Sequence, residues 1–222
     1  DLGQCEWILH MSVDRDRPNK TITLSQSTFI NQILSKHGME DCKPATTPFL
    51  FSDLTVAPDK IEAQLLNLSE HETYRSIVGS LLYAANITRV DISYVVGILA
   101  RYCHEPYNYH LQAAKHVLRY LRATSDLKLT FGGSSTANNN YDIMIYTDSN
   151  WANEKNDRKS TGGHVTMINN HPVSWHSKKQ STIALSSTEA EYYALGDAIR
   201  EALFVRQWFQ FYCGKLLRIH SK

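Results

Sequence analysis

The sequence lacks any close pair of cysteines. Its four, Cys5, Cys42, Cys103 and Cys213, lie far apart with no C-x-x-C spacing. That excludes a disulfide framework and a cysteine zinc motif, and it fits a reducing compartment. No apolar run reaches transmembrane length, so no membrane partner is expected. Charge of one sign is missing too: 23 Lys and Arg stand against 22 Asp and Glu, a formal net charge of +1. Global charge therefore does not mark a nucleic-acid binder, and any basic surface must be local. His104, His110 and His116 recur at six-residue steps. Helix-borne ligand pairs sit four apart, so no metal site is expected there.

What is present is an ordinary globular balance, with 42% apolar and 20% charged residues over 222 positions. That is enough for one large domain or two small ones, with a packed core. The chain opens inside DLGQCEWILHMSV, which reads as mid-protein sequence, so a piece of something longer is expected.

Trp7 to Val13 and Thr21 to Leu24 read as a hairpin around the charged turn DRDRPN. Ser25 is placed to cap a helix from Gln26 to His37, with Phe29, Ile30, Ile33 and Leu34 on one face. Residues 51–71 read as a linker. From about Glu72 to Thr124 the pattern is helical, with breaks near Asn86 to Val90 and Glu105 to Asn108; Asp91 is expected to cap the helix that follows it. On the last helix, Lys115, Arg119 and Arg122 form one cationic stripe, either a solvated face or a face that tracks phosphates. GGSSTANNN within residues 132–140 is the clearest boundary in the chain.

Beyond it, an apolar run ends at Asp148. A meander of short strands follows, then a long helix from about Ser187 to Phe211. The fold class expected is α+β. The chemistry is expected here, because carboxylates brought together from a strand end and a facing helix suit magnesium-dependent phosphodiester cleavage. Glu189 and Glu191 are two residues apart, so both cannot face Asp148. Steps of three, four, seven, eight and eleven from Glu191 reach Ala194, Leu195, Ala198, Ile199 and Ala202, all apolar. Glu189 follows Ser186 at capping-box spacing and has a structural job available. Glu191 is therefore expected at the head of the core-facing stripe, opposite Asp148.

YTDSNWA, RKSTGGHV and VSWHSKKQSTIALSSTEAEYYAL together resemble the ribonuclease H domain of copia-type retrotransposon polyproteins. LGQCEWILHM, TLSQSTFINQIL and GMEDCKPATTP resemble the end of that family's reverse transcriptase. YRSIVGSLLYAANITRVDISYVVGILARY and HLQAAKHVLRYLRAT resemble its connecting segment. The resemblance implies residues 1–50 as a primer-grip and thumb-like end, 72–131 as a helical connection, and 141–222 as a truncated ribonuclease H-like domain with a mixed sheet and packed helix. It implies Mg2+ or Mn2+, an RNA–DNA hybrid as substrate, and the rest of the Pol polyprotein, with its palm and fingers, as partner. It further implies an intracellular site, in a cytoplasmic virus-like particle or the nucleus. Of four metal-binding acids in the family, Asp148 and Glu191 match two. The motifs that carry the other two are not in this sequence, so weak or absent cleavage is expected. Arg158, Lys159, Lys178, Lys179 and Gln180 fit hybrid binding, or are ordinary solvated turns. A residual non-catalytic nucleic-acid-binding module and a functionless element relic are the alternatives.

Overall fold

The computed structural model describes residues 3–49, 54, 63–133, 141–154, 156–214 and 217–221. They form two compact units, divided between Gly133 and Ser134.

The first unit opens with β1 (Trp7–Ile8) and β2 (Met11–Asp16), paired antiparallel. Leu9 and His10 between them take positive φ, 47° and 56°. Two left-handed residues in a two-residue loop match the twist of paired strands. β3 (Thr21–Ser25) returns beside β2, and β4 (Lys128–Gly132) comes back from the far end of the unit to pair with β3. The order is β1-β2-β3-β4. The segments expected at 1–50 and 72–131 thus contribute strands to one sheet. Of the two expected linkers, residues 51–53, 55–62 and 134–140 lie outside the described residues.

Four helices build the core of this unit among the described residues. α1 (Ser27–Lys36) starts one residue later than expected; Ser25 Oγ accepts the Ser27 N–H at 3.2 Å. α2 (Leu68–Ile87) begins inside the expected linker. Asn67 and Glu70 form a reciprocal capping box there, which satisfies two helix-end donors. Its buried residues Tyr74, Ile77, Val78, Leu81, Ala84 and Ala85 follow helical spacing. α3 (Ser93–Arg101) and α4 (Asn108–Ala123) complete the core.

Asp91 does not cap α3. It sits in a tight turn, where its carboxylate takes Arg89 Nε at 3.0 Å, Arg89 NH2 at 2.7 Å and the Tyr120 hydroxyl at 2.7 Å. Arg89 is buried and also donates to the Thr124 carbonyl and hydroxyl. A buried guanidinium demands a counter-charge more strongly than a helix end demands a cap.

The second unit has a four-stranded sheet in the order β7-β6-β5-β8. β5 (Asp142–Asn150), β6 (Thr161–Ile168) and β7 (His171–Lys179) form the antiparallel meander. α5 (Ser187–Cys213) packs on β5 and β6 and ends at Gly214, whose φ of 64° suits a left-handed cap. β8 (Arg218–Ser221) then lies parallel to β5, from Asp142↔Arg218 to Ile145↔Ser221. The sequence pattern predicts no strand here. Four residues of parallel strand carry too little pattern to be read alone.

Directly opposed residues share a sheet face. Ile143, Ile145, Thr147 and Ser149 of β5 face the same way as Ile168, Thr166, His164 and Gly162 of β6. α5 covers this face with Ala190, Ala194, Ala198, Ala202 and Val205. The approach is close: a Cβ built on Gly162 would stand 3.2 Å from Ala194 Cβ. Small residues on both elements make that approach possible. No helix of the described residues is long and apolar enough to cross a membrane.

Candidate active site at the end of β5

Glu191 reaches β5 one residue beyond Asp148, though not in the manner expected. The buried stripe of α5 is headed by Ala190, and Glu191 is exposed one position away from it. Ile199, expected on the stripe, is 45% exposed. The steps of three and four from residue 191 blur neighbouring stripes, because alanines 190, 194, 198 and 202 fit a four-step ladder equally well. Glu191 nonetheless reaches the strand. Its Oε1 accepts the backbone N–H of Ser149 at 3.3 Å, one residue beyond Asp148.

Asp148 is exposed and opposes Gly163, so it belongs to the face opposite the one α5 covers. Both residues are exposed, and the two do not meet in a dry seam. Glu189 takes the structural task. Its N–H donates to Ser186 Oγ at 3.1 Å and its carboxylate accepts the Leu185 N–H at 2.7 Å, which closes the first turn of α5.

The donor set is two hard carboxylates on an exposed edge. Among the described residues no group of three or more His, Cys, Asp or Glu is placed to hold a metal ion. Magnesium is commonly held by one or two carboxylates, with water and substrate phosphates filling the other positions.

Among curated proteins, the Pol polyprotein of transposon TNT 1-94 from Nicotiana tabacum is 36% identical over 213 residues, 95% of this chain and 16% of its own length. That of transposon RE1 from Arabidopsis thaliana is 36% identical over 195 residues, 88% of this chain and 13% of its own length. The uncharacterized mitochondrial protein AtMg00810 of Arabidopsis thaliana is 35% identical over 197 residues, covering 88% of this chain and 76% of that protein. The chain's homologues over most of its length are copia-type retrotransposon Pol polyproteins. It spans 13–16% of the length of the two transposon polyproteins. No family model and no solved structure matches it.

Several basic residues of this chain prove to be committed internally. Arg119 Nε donates to the Lys43 carbonyl at 2.6 Å, and Arg122 donates to the Cys42 carbonyl and lies 4.0 Å from the Asp41 carboxylate. The two arginines fasten the segment after α1 onto α4. Of that stripe, Lys115 is exposed. Lys179 pairs with Asp157 at 2.8 Å and Glu154 at 3.6 Å, closing the β5–β6 turn. Gln180 is buried and donates to the Ala190 carbonyl at 2.8 Å, tying the end of β7 to α5. Arg158 and Lys178 are exposed, and Lys159 is half-buried.

Two of the three spaced histidines have structural contacts, and His104 is exposed. His110 bridges the Tyr107 N–H and the Leu54 carbonyl, and His116 bonds the Thr47 carbonyl at 2.9 Å. Trp151 is 45% exposed, with its Nε1 donating to the Ala184 carbonyl at 3.0 Å. The sequence reading missed a polar patch between α5 and the sheet: His164, Thr166, His176, and Glu201 bonded by Ser174 Oγ at 2.6 Å. Strand alternation carries the signal, since His164 and Thr166 share parity with Ile168.

Proposed function

We propose that the second unit is the ribonuclease H part of a copia-type Pol polyprotein, a hydrolase of the RNA strand in RNA–DNA hybrids. The observation that carries this reading is the Glu191 to Ser149 contact, which brings the helix carboxylate to within one residue of Asp148 on β5. In this reading Asp148 and Glu191 would hold Mg2+ or Mn2+, which when bound would supply water activation and charge stabilisation at the leaving oxygen. Glu189 keeps the α5 terminus wound, and Gln180 and the Gly162–Ala194 contact hold α5 at the distance from which Glu191 reaches β5. Exposed Arg158 and Lys178 are available to hybrid phosphates.

Two carboxylates are half of the family's set, so the 222-residue polypeptide tested as it stands is expected to cleave weakly or not at all. The parallel register supports a specific remedy. Pairs Asp142↔Arg218 to Ile145↔Ser221 keep a constant offset of 218 − 142, so continuation would set position 224 beside Asp148. The experiment is a hybrid-cleavage assay with magnesium on the native chain and on chains extended past Lys222 with an aspartate at 223, 224 or 225. Cleavage gained on extension and lost again in Asp148→Asn and Glu191→Gln supports the reading. Vigorous cleavage by the native chain, abolished by Asp148→Asn, would overturn the expected inactivity. Cleavage indifferent to both substitutions would overturn the site.

A further inference from the structure

His164 stands in the narrow seam between β6 and α5. It opposes Thr147 on β5 and His176 on β7, on the face that α5 covers. It is 8% exposed, and its Nε2 has no hydrogen-bond partner among the described residues. Thr166, two residues along the same face, is fully buried and its hydroxyl is likewise unpartnered. The His176 ring lies 5.7 Å away, nearly perpendicular. Three strands and one helix therefore converge on an imidazole whose second nitrogen is unmet.

The groups facing it decide what a proton would do. β5 offers Thr147, which carries no charge. β7 offers His176 and Ser174, with Lys178 on the same face opposite Gly162. α5 offers Asp197 and Glu201. Asp197 is paired with Arg200, and Glu201 accepts from Ser174 Oγ at 2.6 Å, so each carboxylate is already engaged. A neutral imidazole tolerates this setting. An imidazolium brings a charge and a second N–H donor into a site that offers Nε2 no acceptor. Burial first, and His176 second, hold the His164 imidazole below its ordinary value, with Glu201 and Asp197 pulling the other way.

We propose that His164 is an acid-responsive latch on the α5–sheet seam, holding α5 down while neutral and loosening it once protonated. The latch stands independently of the ribonuclease reading, because it concerns only how α5 is seated. The sign follows from linkage. The unfolded histidine takes up a proton near pH 6.5 and the seated one resists it, so the seam's contribution is full above that value and is lost as pH falls through the lower folded value.

The test is hydrogen exchange read by mass spectrometry on the full chain, at about pH 7.5 and about pH 5.5, corrected for intrinsic exchange. Peptides from residues 187–213 should lose protection on acidification in the native chain and keep it in His164→Phe. Equal loss in both, or none in the native chain, overturns the proposal. If His164→Phe has already lost α5 protection at the higher pH, NMR titration of the native imidazoles decides. Titration of His164 below 6.5, with α5 amide shifts following it, supports the latch. Titration at or above 6.5, or α5 amides that do not follow, overturns it.

Discussion

Gly162→Ala tests whether contact between β6 and α5 sets the position of Glu191. The added methyl would meet Ala194 Cβ at 3.2 Å, Gln180 Nε2 at 3.5 Å and Ala194 Cα at 3.6 Å. Replacing glycine by alanine in regular structure is worth about 0.5–1 kcal/mol. Overpacking a filled seam costs about 1–3 kcal/mol. The clash is with a methyl held on a helix, which cannot swing aside as a long side chain would, so the cost wins. A net loss of about 0.5–2 kcal/mol is expected. Ala194→Gly alone loses a buried methyl and adds helix entropy, at about 1–2 kcal/mol. In the double variant the new methyl occupies the space the old one leaves. The pair should therefore be less destabilised than the sum of the singles by about 1 kcal/mol. Urea unfolding followed by tryptophan fluorescence measures this, with Trp151, Trp175 and Trp208 reporting on the second unit. Additivity within about 0.3 kcal/mol would refute the idea that these two positions set the seam.

Two further outcomes follow from the first unit. Asp91→Ala leaves the buried Arg89 guanidinium without its counter-charge and should cost about 3–5 kcal/mol in urea, whereas Arg89→Met with Asp91→Leu should recover much of it; a single-variant loss under about 1 kcal/mol would sink this account. His110 is fully buried and its imidazole is pushed down to about 4 by desolvation, against an opposing hydrogen bond to the Leu54 carbonyl. Its contribution is therefore complete above pH 6.5 and lost progressively as pH falls toward about 4, by on the order of 3 kcal/mol. His110→Gln should flatten that part of the stability–pH curve, and an unchanged slope would count against it.

The hairpin, the four helices of the first unit and the meander were legible because each repeats a short pattern of apolar residues over its own length. Glu191 was also chosen over Glu189, but partly for a reason the structure corrects. Capping spacing rightly gave Glu189 to the helix end, while Glu191 lies beside the buried stripe and not on it. The cationic stripe on α4 illustrates the opposite failure. Helical spacing put Arg119 and Arg122 on one side, yet their partners, the carbonyls of Lys43 and Cys42, are some eighty positions away. Asp91 failed as a cap because its neighbour Arg89 is buried against Thr124, 35 positions distant, and takes the carboxylate as counter-charge.

By itself, the sequence determined what depends on neighbours along the chain: where helices start and stop, which strands turn back at once, and which glutamate a cap can use. Only the tertiary structure decided what depends on distant pairings. It put β4 on β3 and β8 on β5, turned two arginines inward, and enclosed His164 under α5. It also left Asp148 and Glu191 exposed instead of within a core. Side-chain periodicity fixes a face but not its occupant, and the occupant comes from a part of the chain that local pattern cannot see.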